Sequence, residues 1–245
     1  MDSLLIGSIA MLSPESPSPL SPPVPSVRKR LQAWWWAKML GTTLGMAAFM
    51  MVYFWLLDHP RFAVTTMPLT ALDHLIPFLP FTLPLYLSLW AYVSLAPAFL
   101  IRRDELISYG AATAVLSVIG LGVFYFWPTA VPPADIDWSQ HPSFLFLKNV
   151  DSAGNACPSL HVAFATFTGL WFARLGREMR GGPWLHGANF LWCLGIIVST
   201  VTTRQHVVLD AMAGIVLGGA VAGGHFFYLR RSTPPIAPAF PSTHA

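Results

Sequence analysis

Charged side chains are what this 245-residue chain has least of. Asp, Glu, Lys and Arg together make up 10% of it, against 54% hydrophobic residues. A soluble globular domain carries about 25% charged residues, so a free-standing aqueous domain is excluded. No nucleic-acid partner is needed to account for a net charge of only +3. Cysteine is almost absent: Cys157 and Cys193 fall on different stretches and offer no disulfide framework. No G-x-S-x-G occurs, which removes the strained turn of a soluble serine hydrolase. The apolar Leu4–Leu12 lacks a basic flank and follows Asp2, the wrong sign for a signal peptide. No internal repeat is visible.

Apolar length is what is abundant. Stretches at Met39–Leu57, Leu75–Ile101, Leu106–Trp127, Ser159–Ala173, Trp184–Thr203 and Val207–Leu229 carry no Asp, Glu, Lys or Arg except Asp210 in the last. About 20 such residues, at ~1.5 Å each, cross a bilayer as a helix. The expected fold is therefore all-α and integral to the membrane, a six-transmembrane-helix bundle. The fourth stretch is short and is expected to lean on snorkelling by Arg174, with a reentrant segment as the alternative. An even number of crossings puts both termini on one side. There lie Arg28, Lys29, Arg30, Lys38, Arg102, Arg103, Arg174, Arg177, Arg180, Arg230 and Arg231, against only Arg61, Lys148 and Arg204 on the other. The basic side is expected to be cytoplasmic. The other face is then external, which in a bacterial inner membrane means periplasmic, and a eukaryotic luminal face obeys the same rule.

Residues 1–35, Ser/Pro-rich over 13–27, read as a disordered cytoplasmic tail, 36–231 as the membrane domain and 232–245 as a flexible Pro-rich tail. Residues 128–157, interrupted by Pro128, Pro132, Pro133 and Pro142, form the one long external segment and suit a lid or binding loop. Prolines 77, 80 and 84 predict an irregular entry to the second span. Gly214, Gly218, Gly219 and Gly223 on the last stretch, and Gly41 and Gly45 on the first, predict close helix packing.

Two polar clusters interrupt the apolar pattern: Pro158-Ser159-Leu160-His161, and Arg204-Gln205-His206 followed by Asp210. The 45 positions from His161 to His206 hold two spans and a short loop, so both clusters return to one membrane face. His206 and Asp210 share a helix face, and a carboxylate on one imidazole nitrogen leaves the other as base or nucleophile. An Asp one turn inside a span costs roughly 2.5–3.5 kcal/mol on insertion scales and marks function; a structural helix-start pair is the alternative. Pro158 suits a first helical turn, whose free N–H groups favour an anion. There Ser159 adds a hydroxyl and His161 a proton, while a plain cap and an interfacial histidine are the bland alternative. Arg204, the only basic residue between the last two spans, is placed to bind a phosphoryl group or merely to anchor at the interface. A Ser-His-Asp hydrolase and a metal site of His161, His206 and Asp210 use the same residues differently.

These motifs resemble the type 2 phosphatidic acid phosphatase superfamily, the lipid phosphate phosphatases. Its second signature, P-S-x-H, is matched at Pro158, Ser159, Leu160 and His161. Its third, S-R-x5-H-x3-D, is matched at Ser199, His206 and Asp210, with Thr200 where the family has arginine. The first signature, K-x6-R-P, is absent, and the combination more closely resembles the branch with inositol phosphorylceramide synthases. The resemblance, over residues 36–230, implies a phosphohistidine route with no metal and no cofactor. In it His206 attacks phosphorus, Asp210 orients it, His161 protonates the leaving oxygen, and Ser159 and Arg204 hold the phosphoryl oxygens. Lys148 and Arg61 are the candidates to replace the missing first signature, Lys148 ahead because its loop leads directly into Pro158. The substrate implied is a phosphorylated membrane lipid, hydrolysed or passed to an acceptor lipid. A non-catalytic transporter or scaffold is the reading from a different class.

Overall fold

Inside a bilayer every backbone N–H and C=O must be bonded within the protein, which leaves uncharged runs of this length only the helix. The computed structural model describes residues 24–144 and 154–232. A short α1 (Val27–Gln32) precedes α2 (Trp35–Asp58). Next come α3 (Ala71–Leu75), a 3-10 turn at Pro80–Thr82, α4 (Leu83–Leu87), α5 (Leu89–Ala98) and α6 (Arg103–Phe126). Three long helices close the described fold: α7 (Leu160–Glu178), α8 (Pro183–Thr202) and α9 (Val208–Ser232).

Among the described residues, five helical segments are long and apolar enough to cross a membrane: Trp35–Asp58, Pro80–Ala98, Arg103–Phe126, Pro183–Thr202 and Val208–Arg231. Their outward faces carry exposed Met39, Leu44, Met51, Val115, Leu191 and Val216, as lipid-facing surfaces should. The chain is an all-α membrane protein. The second segment is irregular at its start, where Pro80 and Pro84 occupy first-turn positions that need no N–H.

The remaining long helix, α7, is the axis of the bundle. Val162, Ala163, Ala165, Phe167, Trp171 and Leu175 are fully enclosed by α9, α8, α5 and α6. It does not stop at Ala173. Arg174 is not left to snorkel: it pairs with Glu105 of α6 at 2.7 Å and Glu178 at 2.9 Å and lies over the Trp171 ring. With its charge satisfied, the helix runs for 19 residues, about 28 Å at 1.5 Å per residue. A reentrant turn is not what forms.

The expected disordered tail also ends earlier than residue 35. Arg30 Nη1 donates to Phe99 O at 3.2 Å and Trp34 Nε1 to Ile101 O at 3.0 Å, docking α1 beneath α5. Residues 1–23, 145–153 and 233–245, with the expectations that fall on them, lie outside the described residues. At the other end of the bundle, β1 (Thr65–Thr66) and β2 (Thr129–Ala130) pair in parallel, and Ala130 bridges Gly154. This pins the start of the 128–157 segment to the link between α2 and α3.

The glycines divide in two. A Cβ on Gly214 would lie 2.5 Å from Ser159 O, and one on Gly218 2.2 Å from Ala163 O, so α7 and α9 touch backbone to backbone. Gly219, Gly223, Gly41 and Gly45 have nothing within 4 Å. The expected close packing of α2 therefore does not occur. Its glycines line open space instead. Gly218→Ala should destabilise the protein by about 1–3 kcal/mol through overpacking, whereas Gly41→Ala should be neutral or stabilising by up to about 1 kcal/mol from helix propensity. Thermal unfolding of the two variants in one detergent checks the contrast.

Candidate active site

The contact between α7 and α9 draws the two polar clusters together. Ser159 caps α7, its hydroxyl accepting from Val162 N at 3.3 Å, while its own N–H donates to Asp210 O at 3.0 Å. Asp210 is fully buried. Its Oδ2 accepts the Val207 N–H at 3.1 Å and lies 3.5 Å from His206 Nδ1; its Oδ1 has no partner among the described residues. At 3.5 Å the imidazole contact is longer than a formed hydrogen bond, and such contacts commonly tighten when substrate binds. With Nδ1 turned to Asp210, His206 presents Nε2 on the opposite side of its ring.

His161, in the first turn of α7, stacks on Tyr86 with ring centroids 4.2 Å apart and planes 14° from parallel. The Tyr86 hydroxyl lies 3.5 Å from His161 Nδ1, and Trp90 meets the ring edge-on. The His161 and His206 ring centroids are 6.3 Å apart. His161 Nε2 is enclosed without a hydrogen-bond partner among the described residues. A buried polar atom left unpaired costs about 1–3 kcal/mol.

Both histidines line a cavity of about 900 Å³ between α2, α5 and α6. Asn155 and Tyr53 line it at the histidine end, Gly41 and Lys38 at the other. Asn155 sits at φ 51°, a left-handed conformation that asparagine tolerates, and donates Nδ2 to Tyr53 O at 3.0 Å.

The structure places the sequence candidates unequally. His161 and His206 meet at the cavity, with Asp210 directly behind His206. Ser159 is fully buried as a cap and is not part of the cavity wall. Neither is Arg204, which donates Nη1 to Asp73 O at 3.1 Å and Nη2 to Ile76 O at 2.8 Å. Thr200, in the family's arginine position, is fully buried and bonds back to Ile197 O of its own helix. Lys148 lies outside the described residues. Among those described, no three His, Cys, Asp or Glu side chains are grouped to hold a metal ion. The Cys157 thiol beside the site is pushed up to about 11, by burial first and then by the Asp210 charge. It therefore stays protonated and is a poor nucleophile.

Sequence reasoning missed Tyr86 and Asp73. No pattern singles out Tyr86 within an apolar run. Asp73 had a signal: Thr70-x-x-Asp73 is a capping box. Its Oδ2 accepts from Thr70 N at 2.7 Å and Thr70 Oγ1 at 2.6 Å, and its Oδ1 from Val208 N at 2.8 Å. One carboxylate thus closes α3 and satisfies a free N–H at the start of α9. With the Arg204 bonds, it clamps the loop that carries His206. Burial opposes charge on Asp73, but the hydrogen bonds from Thr70 and Val208 and the Arg204 charge outweigh it, so the carboxyl is held below its ordinary range.

Paired histidines, one backed by a buried carboxylate, at the head of an apolar cleft in a helical bundle define an integral membrane protein with a histidine-based site. A family model described as the PAP2 superfamily matches residues 55–223, more than half of the chain, and the chain belongs to that superfamily. Membership supports a phosphatase-type activity on a lipid of the bilayer. No curated protein and no solved structure gives a match.

Because the folded-state pKa of Asp73 lies below the unfolded value, its stabilisation is present above about pH 4 and is lost as pH falls through the folded value. Asp73→Asn should lower the thermal midpoint at neutral pH and flatten its decline below about pH 4. It should also reduce kcat by roughly 10-fold or more through misplacement of His206. Thermal melts across pH, alongside turnover, test both expectations.

Proposed function

We propose that the protein is a lipid phosphatase working through a phosphohistidine on His206. The observation that carries this reading is the His206–Asp210 pair at the cavity, with the unpartnered Nε2 of His161 enclosed beside it. The Nε2 lone pair of His206 attacks phosphorus and forms the N–P bond as the lipid P–O bond breaks. Asp210 fixes the tautomer and stabilises the positive charge on the imidazole. Protonated His161 gives its proton to the departing lipid oxygen. Water then attacks phosphorus, losing a proton to His161, and the N–P bond breaks to release inorganic phosphate. The N-terminus of α7 adds dipole stabilisation for the phosphoryl oxygens, and Tyr86 holds the His161 ring.

The cavity suits the lipid tail. Along α2 its lining runs from Lys38 to Phe54, about 24 Å at 1.5 Å per residue. A tail gains little transfer energy there, because bilayer and cleft are equally apolar; the cleft therefore guides and sizes the tail rather than binding it tightly. The six crossings rest on the six apolar stretches, and an external position for the histidines on the distribution of Lys and Arg described above.

A second reading, transfer of a phospho-head-group to an acceptor lipid, has one observation in its favour. Among the described residues that line the cavity, Lys38, far from the histidines, is the only Lys or Arg. A monoester dianion demands more positive charge than a diester carrying one, so this site suits a diester.

The purified protein, assayed with EDTA on phosphatidate, phosphatidylglycerophosphate, polyprenyl pyrophosphate and phosphatidylinositol plus ceramide, separates the two. Free phosphate supports hydrolysis; a new phospholipid without it supports transfer. His206→Ala should abolish turnover, and full retained activity would overturn the histidine scheme. Asp210→Asn should cost roughly 10²-fold or more in kcat. Gly45→Trp, which fills the cleft, should raise KM for long-chain substrates by roughly 10-fold while sparing short-chain analogues.

A further inference from the structure

At the end of the cleft remote from His206 the structure encloses two cations and, among the described residues, no acid paired with either. Arg30 is 6% and Lys38 7% exposed. Lys38 Nζ donates to Arg30 O at 2.7 Å and Ala98 O at 2.8 Å, which ties the two residues together beneath α5. Arg30 Nη1 reaches Phe99 O at 3.2 Å, while its Nε is enclosed with no acceptor among the described residues. Among the described residues neither side chain forms an ion pair; the pairs there involve Arg102, Arg174 and His206. The carbonyl end of α5 offers roughly half a negative charge against two full positive ones. Buried lysine and arginine are almost always paired, so the cluster is short of an anion.

Its surroundings say what kind. Lys38 lines the apolar cleft itself, so an occupant must be charged at one end and greasy at the other. Trp34, Trp35 and Trp36 stand at this level, all exposed, as an aromatic belt does at a membrane surface. The ~24 Å from Lys38 to Phe54 approaches the ~30 Å hydrocarbon thickness. The two ends of the cleft therefore lie toward opposite leaflets.

We propose that Arg30 and Lys38 bind the phosphate head group of an anionic phospholipid from the leaflet opposite the one that presents substrate to His206. One chain of that lipid enters the cleft from its far end. The phosphate oxygens accept from the third Nζ proton of Lys38 and from the Arg30 guanidinium. The site stands whether or not the phosphohistidine reading does. If the cleft also holds the substrate tail, the two lipids share its length, and the anionic lipid limits how deep the substrate sits.

The test is native mass spectrometry of the full-length protein delipidated in neutral detergent, then offered phosphatidylglycerol or phosphatidylcholine of equal chain length. The wild type should retain phosphatidylglycerol preferentially, and Arg30→Gln and Lys38→Gln should each weaken that preference about fivefold. Lys38→Arg should keep it. His206→Ala should leave it intact, which separates this site from the catalytic one and its failure from failure of the phosphatase reading. Equal retention of the two lipids by the wild type overturns the proposal, even if the glutamine variants fail to fold. So does undiminished preference in well-folded glutamine variants. A thermal shift with millimolar inorganic phosphate equal to that with the lipid would overturn the lipid assignment in favour of a free anion.

Discussion

The site depends on two helix backbones being in contact. Where α7 crosses α9, Gly214 faces Ser159 O and Gly218 faces Ala163 O with no room for a methyl group. Helices in lipid feel no hydrophobic pull toward one another, so their association rests on close packing and polar bonds. This pair has both, since the Ser159 N–H also bonds Asp210 O. Once that crossing is set, the remaining geometry follows from helix periodicity. His161 lies just after Ser159, and His206 one turn before Asp210. The two rings come to lie within 6.3 Å of each other without any direct bond between them.

The opposite rule governs α2. Its 24 residues include only two buried ones, Lys38 and Leu56, and its glycines meet nothing. In water such a gap beside a bundle would be unstable. In a bilayer it is filled by hydrocarbon of the same polarity as the helix faces, so an open cleft is sustainable. The same residue type thus seals one helix pair and holds another apart, and the deciding factor is whether a partner backbone stands opposite.

That distinction explains which parts were legible in the sequence. The membrane class, the helical elements and the convergence of His161 with His206 and Asp210 follow from apolar run lengths and the 45-residue return trip, which need no knowledge of neighbours. The fate of individual polar groups does need it. Arg174 looked like a helix end because nothing in the sequence reveals Glu105, 69 positions away, across the bundle. Arg204 looked like a phosphate cation because the carbonyls of Asp73 and Ile76 come from a different loop. Ser159 could be read as cap or ligand, and its complete burial assigns its hydroxyl to the cap.

The loop before α9 joins these points. It is held by charges turned away from the cavity: Asp73 and Arg204 use their polar atoms on backbone groups at the starts and ends of helices. A side chain that anchors a loop in this way gives up the freedom to follow a ligand through a reaction. Among the described residues, the polar groups at the histidine end of the cavity are the histidine rings, Tyr86, Tyr53 and Asn155, all neutral apart from any proton a histidine carries. In the proposed chemistry, charge on the phosphoryl group must then be met by those protons and by the α7 dipole. That places more of the burden on His161 than a site rich in arginine would, and makes its stacking on Tyr86 the contact on which proton delivery turns.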